Sequence, residues 1–215
     1  VKSSLIYLLL IPIFIWGCSG TGTPVVQVQK KNLYDVIPET NPQEINGFRE
    51  ITIFSDSYDN TIWVSPEKQC VTLKRVNEVF CEGQAALHVR WDKVTGGCKW
   101  IGIGFGWNNW LPKDMSDILN VAAVTMRVKS VKGTFSNFPV AFAFEDYTGV
   151  QSYYGFTPKL ASGLFTDTTW TRVTIPLALF PFQSNEADPG KMKQFIIQLE
   201  GDGDIYLDDI RLIRL

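Results

Sequence analysis

A single histidine, His88, serves the whole 215-residue chain. Most metal centres and acyl-transfer sites draw on imidazole, so this scarcity narrows the chemistry at once. A Gly-x-Ser-x-Gly elbow is also missing, and Gly102-Ile103-Gly104 lies in a strand-like run with no helix opening after it, which excludes a dinucleotide loop. Charge of one sign is lacking too. Twenty Lys and Arg against 22 Asp and Glu give a formal net charge of −2, so no basic stripe is available and a nucleic-acid partner is not expected. The four cysteines fit no zinc spacing. No internal repeat of fixed period is visible, and no segment has convincing helical periodicity; Met115–Asn120 and Leu177–Phe180 suit single turns. The one long apolar run, Leu5–Ile15, is shorter than the ~20 residues a spanning helix needs.

That run follows Lys2 and ends in Ile15-Trp16-Gly17-Cys18, a segment similar to the lipobox of bacterial lipoproteins, although Trp16 stands where a small residue is usual. The resemblance implies cleavage before Cys18, acylation of that residue, and a membrane contact made by lipid at the bacterial cell envelope. Residues 1–18 then read as a signal peptide and 19–46 as a polar tether, rich in Gly, Thr, Pro, Gln, Lys and Asn. The folded domain is expected over 47–215. Export permits a disulfide. Of Cys70, Cys81 and Cys98, the pair Cys70–Cys81 encloses a short hairpin-like segment and is the favoured bond.

From Gly47 onward the pattern is β. Short runs of branched and aromatic residues alternate with polar ones, and turns such as Thr95-Gly96-Gly97 and Gly201-Asp202-Gly203-Asp204 divide them. This predicts an all-β, two-sheet antiparallel β-sandwich (jelly roll). Alternation assigns Leu87, Val89, Trp91, Ile101, Ile103, Phe105, Val124, Met126, Val128, Phe142, Phe144, Val173, Ile175, Phe195, Ile197 and Leu199 to the core.

The most pointed stretch is Trp100-Ile101-Gly102-Ile103-Gly104-Phe105-Gly106-Trp107, followed by Trp110. One face is Ile101, Ile103, Phe105 and Trp107, a core face. The other is Trp100 and three glycines. Such a strip makes either a trough walled by indoles, in which a sugar chain lies, or a strand packed closely under a loop. Ala141 and Ala143 give a second strand the same small-residue face. Whether both strands share a sheet is not fixed by the sequence.

Several segments resemble, in order, the carbohydrate-binding jelly rolls of galactose-binding-like fold, with family 11 carbohydrate-binding modules as the nearest match. They are Phe54-Ser55-Asp56, Glu82 to Val89, Trp107 to Ser116, Trp170 to Leu177 with Phe180, and Ile205 to Leu212. The resemblance covers residues 47–215. It implies non-catalytic binding of a polysaccharide or oligosaccharide on a concave aromatic face, and often a structural Ca²⁺, for which Asp208 and Asp56 are the candidate ligands. Trp100, Trp110 and Tyr153 are the candidate stacking rings. Tyr147 and Tyr154 are further aromatics, but Tyr153 and Tyr154 point to opposite faces, so at most one lines a trough. Asn109, Arg127, Glu145, Asp146 and Gln151 are candidates to bond sugar hydroxyls. Two other functions fit the same residues: an adaptor lipoprotein contacting an envelope protein, and a small glycan-cleaving enzyme using Glu145 and Glu200, which both face outward.

Overall fold

The structure, a computed structural model, describes residues 50–66 and 69–215. The proposed signal peptide, Cys18 and the tether therefore lie outside the described residues. Among the described residues eleven strands form: β1 (Ile51–Phe54), β2 (Trp63–Pro66), β3 (Val71–Val76), β4 (Ala86–Asp92), β5 (Gly102–Gly106), β6 (Ala122–Ser130), β7 (Val140–Asp146), β8 (Gln151–Gly155), β9 (Thr171–Pro176), β10 (Met192–Leu199) and β11 (Asp202–Arg214). Among the described residues, helix is limited to short 3-10 turns, which include Ser116–Ile118 and Leu177–Leu179 in the two segments read as single turns.

All pairings are antiparallel and fall into two sheets. One has six strands in the order β3-β4-β11-β6-β9, with β1 also on β11; the other has five in the order β2-β5-β10-β7-β8. The Gly strand β5 and the Ala strand β7 thus share a sheet, with β10 between them. Every residue assigned to the core from alternation is buried. The sheets meet through Phe105, Phe142, Phe144 and Phe195 on one side and Val124, Met126, Val128 and Val173 on the other. Phe144 is a hub, its ring 5.3 Å from Phe195, 4.8 Å from Phe180 and 5.8 Å from Trp107. Trp107 is 1% exposed and its indole N–H donates to the Met192 carbonyl, which satisfies the one polar atom it buries.

Strand β11 changes partner along its length. Residues 202–207 pair with β4, and Ile210 to Leu212 pair with β1. The changeover falls at Asp208 and Asp209, where Asp209 takes φ 50° and the register to β6 shifts. The chain entering β4 has to be secured at this gap.

A disulfide joins Cys70 to Cys98, not Cys70 to Cys81. The hairpin β3–β4 explains why. Cys70 stands at its open end, where its carbonyl accepts from Asp92 N–H, and the turn after β4 brings Cys98 back to it. Cys81 lies in the connection at the other end, about 20 Å away at ~3.3 Å per strand residue. With a sequence separation of 28, the bond contributes about 3–4 kcal/mol by chain entropy.

An aromatic groove on the five-stranded sheet

The open face of the five-stranded sheet is built from three cross-strand rows. Register aligns Trp63, Gly106, Gln194, Glu145 and Gln151 in the first row. Ser65, Gly104, Ile196, Ala143 and Tyr153 form the second, and Gly102, Gln198, Ala141 and Gly155 the third. The small residues lie on β5 and at Ala141 and Ala143 of β7, on either side of the larger Gln194, Ile196 and Gln198 of the central strand β10.

The glycines are not bare. An added Cβ at Gly102 meets the Trp100 ring at 2.8 Å, one at Gly104 meets Gln194 Oε1 at 2.5 Å, and one at Gly106 meets the Trp110 ring at 3.3 Å. Each missing side chain therefore makes a seat for a side chain from elsewhere. Gly102 and Gly106 are four residues apart, so the two indoles are seated about 13 Å from each other along the strand. Trp110 reaches its seat from a turn in which Asn109 has φ 52° and Trp110 φ 65°. Left-handed backbone at a bulky residue is rare and costs about 1–3 kcal/mol. The bonds Asn109 N–H to Thr61 O and Trp110 N–H to Trp107 O hold it.

Trp63 stands beside Trp110, ring centroids 6.2 Å apart and planes tilted by 59°. Trp63 is 58% exposed, Trp100 44% and Tyr153 43%. Trp100 lines a cleft of about 130 Å³ together with Ser65, Gly104, Glu145, Gln151 and Gln194, among others. Drug-sized ligands occupy enclosed pockets of ~300–1,000 Å³, so this site suits an extended ligand lying across a surface.

A polar chain crosses the first row. A bulge between Met192 and Gln194 turns Lys193 outward. Its Nζ lies 2.5 Å from Glu145 Oε1 and 5.3 Å from the centre of the Trp110 ring. Gln151 Nε2 donates to Glu145 Oε2, and Tyr153 O–H donates to Gln151 Oε1. Burial, with the Glu145 charge adding to it, pushes the Tyr153 phenol above its ordinary pKa, so it remains a donor.

Five of the expected sugar-facing residues therefore meet on one face: Trp100, Trp110, Glu145, Gln151 and Tyr153. Tyr154 packs inward near Phe180, as alternation requires. Asn109 is exposed on the rim, in the turn that carries Trp110. Two expectations fail. Arg127 belongs to β6 in the other sheet, near Glu82 at 3.9 Å, because alternation distinguishes inside from outside but not one sheet from the other. Asp146 is buried and organises its turn. Its Oδ1 accepts from Thr148 N–H, Thr148 O–H and Val150 N–H, and its Oδ2 from Asp188 N–H. Burial alone would raise its pKa, but these bonds together hold it below the ordinary aspartate value. Its charged form stabilises the fold above the unfolded-state pKa, and this contribution is lost as pH falls through the lowered value.

Trp63, Lys193 and Gln194 were not singled out in the sequence. The signal was present: Trp63 alternates with Val64, and Gln194 with Phe195, which puts both on the outward face. The carboxylates Glu145 and Glu200, the pair considered for hydrolysis, do not converge. Glu145 is level with Gln194, six residues from Glu200 along β10, or about 20 Å. Catalytic carboxylates stand ~5–9.5 Å apart.

Asp56 and Asp208 do come to one place, at the changeover on β11. Asp208 accepts from Cys81 and Glu82 N–H on Oδ2 and from Asp209 N–H on Oδ1. Asp56 Oδ1 accepts from Gln84 and Ala85 N–H. Burial pushes the Asp208 carboxyl up, the three N–H donors pull against it, and the Glu82 charge adds to the rise. Both carboxylates are thus committed to the backbone of loop 81–85, and among the described residues no group of three or more His, Cys, Asp or Glu side chains is arranged to hold a metal ion. Together the two carboxylates form a clamp on the backbone that enters β4.

The fold and the groove define a β-sandwich of the carbohydrate-binding-module type. The family described as carbohydrate binding domain 30 matches residues 50–214, and the chain belongs to it. Among solved structures, a family 30 carbohydrate-binding module is similar at 18% identity and TM-score 0.60, covering 76% of this chain and 87% of that one. The family 30 module of the Clostridium thermocellum cellulosomal cellulase Cel9D-Cel44B gives 18% and 0.59, with 76% and 96% covered. A family 11 module from Clostridium thermocellum, in complex with a β-1,3-1,4-mixed-linked tetrasaccharide, gives 15% and 0.52, with 76% and 95% covered. Family 11 is thus a structural neighbour, and family 30 is the family of the chain. No curated protein matches.

The clamp leads to a direct expectation. Asp208→Asn sets an amide donor against backbone N–H donors, and chemical denaturation should show a loss of about 1–3 kcal/mol. The loss should be equal in chelator and in added calcium; a calcium-dependent difference would instead mean that the carboxylates ligate an ion.

Proposed function

We propose that this domain binds a polysaccharide or oligosaccharide, without cleaving it, along the groove of the five-stranded sheet. One observation carries the reading: Trp63, Trp100, Trp110 and Tyr153 stand on a single open face around a polar row. Sugar rings present C–H faces to aromatic rings and hydroxyls to polar neighbours, and this surface offers both. The ~13 Å between the seats of Trp100 and Trp110 suits several linked sugar units better than one. The 59° tilt between Trp63 and Trp110 makes a corner, which suits a twisted or bent chain better than the flat face of a crystalline polysaccharide. Membership of family 30 supports the same reading, and the mixed-linked glucan held by the family 11 neighbour suggests a β-glucan as the first ligand to try.

Affinity-gel retention of the soluble domain on mixed-linked β-glucan, xylan and mannan tests the proposal. At least one gel should retain it, and Trp110→Ala or Trp63→Ala should weaken retention about tenfold or more, since each ring supplies both apolar area and stacking. A wild-type domain that runs unretarded in all three gels would remove the glycan reading.

The pattern Ile15-Trp16-Gly17-Cys18 supports display of this groove from a lipid anchor at a bacterial envelope. The full chain, expressed in a bacterial host, should then partition with membranes and incorporate labelled fatty acid, and Cys18→Ala should abolish both. A wild-type chain recovered unlabelled in the soluble fraction would contradict the anchor.

A further inference from the structure

The outer face of the six-stranded sheet carries a second row of rings, set among cations. Leu73, Leu87, Val89, Leu207 and Val128 pack on the core, so Lys74, His88, Tyr206 and Lys129 point the other way. Register places these four level with one another across β3, β4, β11 and β6. The His88 and Tyr206 rings are 5.1 Å apart, and the Trp170 ring is 6.5 Å from Tyr206. Three steps of ~4.8 Å between strands put Lys74 and Lys129 about 14 Å apart, with the His88 and Tyr206 rings between them. Arg90, two residues after His88 on β4, joins the same face.

The overall charge of −2 gives no hint of this arrangement. Among the described residues, Lys74, Arg90 and Lys129 make no ion pair. Two carboxylates stand nearby. Asp204 is held by His88 at 2.5 Å. Burial, then the charges of Asp204 and Glu78, push the Tyr206 phenol above its ordinary pKa, so it remains a donor. In the next row Arg127 stands directly opposite Arg172, with Glu82 3.9 Å from Arg127; like charges so placed destabilise a sheet. A partner that fits is a polyanion with flat faces between its charges. A chain of uronic acids is such a partner, since each unit brings a carboxylate and a C–H face, and a fold matched to a carbohydrate binding domain favours it over other polyanions. A lipid surface is entered by apolar side chains that stand clear of the protein, whereas Tyr206 and Trp170 are half-buried.

We propose that this face is a second glycan site, one that takes an acidic polysaccharide. Uronate carboxylates meet Lys74, Arg90 and Lys129, and the sugar faces between them lie on Tyr206 and Trp170. The site lies on the sheet opposite the groove, so one domain can hold a neutral chain and an acidic chain together. It stands on its own observations and does not rest on the reading given for the groove.

Retention of the full chain on polygalacturonate beads, with fully methyl-esterified pectin as the uncharged counterpart, tests the site. Polygalacturonate should retain the wild type in dilute buffer, and salt at about 1 M, which shortens the screening length to ~3 Å, should release it. Methyl-esterified pectin should retain it far less. The double variant Lys74→Gln, Lys129→Gln should bind polygalacturonate about tenfold more weakly or worse, because two charge-assisted contacts are gone, with its ligand-free unfolding temperature unchanged. Tyr206→Leu should weaken retention as well, through lost stacking. Trp110→Ala should leave retention on polygalacturonate unchanged, because that ring belongs to the other sheet. Should the double variant fail to fold, Arg90→Gln, at an exposed side chain, decides by the same criterion. An unretained wild type, undiminished retention of the double variant, equal retention on the esterified beads, or loss of retention in Trp110→Ala would each overturn the proposal. Tighter binding of phosphatidylglycerol vesicles or of oligothymidylate, lost in the same double variant, would overturn it too, by giving this face to a membrane or a nucleic acid.

Discussion

The open face of the five-stranded sheet depends on three missing Cβ atoms. Gly102, Gly104 and Gly106 let the Trp100 ring, the Gln194 amide and the Trp110 ring lie directly on the backbone of β5. A Cβ at Gly102 or Gly104 would displace the group seated there, and one at Gly106 would press on the Trp110 ring at 3.3 Å. The requirement is steric and not conformational, since none of the three has a left-handed backbone. The opposite face of the same strand carries Ile103 and Phe105 into the sandwich core. A single five-residue strand thus anchors the core with one side and seats the site with the other.

Rigidity in the scaffold supports this arrangement. The phenylalanine cluster around Phe144 packs the inner side of the five-stranded sheet, and Trp107 ties the end of β5 to Met192 just before the bulge that aims Lys193. The strained turn at Asn109 and Trp110 follows Trp107 directly and is bonded to the Thr61 and Trp107 carbonyls. Strain of that kind persists only where surrounding contacts over-determine the chain, and here it aims an indole across a glycine. On the other sheet, the same economy appears at the changeover of β11, where two aspartates gather the backbone of loop 81–85 instead of a ligand.

Much of this was legible in the sequence, and the limits have physical causes. Period-two alternation points to an all-β fold and its core residues, because burial on one face is a local property of each strand. It also put Trp107 in the core. It did not reveal sheet membership, which is set by pairings between residues far apart in the chain. Arg127 and Glu145 both face outward, yet they lie on different sheets. The disulfide failed for the same reason: Cys70 and Cys81 are close in sequence but lie at opposite ends of a hairpin. Asp146 carried a signal that was open to reading, since Asp146-Tyr147-Thr148-Gly149 is an Asx-type turn whose aspartate bonds its own backbone. The family resemblance makes Asp208 a candidate ion ligand; in the structure its carboxylate accepts three backbone N–H bonds, a long-range arrangement that the sequence does not display.

The central claim is that one face of one sheet receives the glycan. The most direct measurement is an amide and indole chemical-shift titration of the folded domain with a mixed-linked β-glucan tetrasaccharide. The indole N–H signals of Trp63, Trp100 and Trp110 and the amides of Gly102, Gly104, Gly106 and Gln194 should move together and saturate together, while those of Arg127, Trp170 and Tyr206 stay fixed. Saturable shifts centred on the six-stranded sheet would contradict the account.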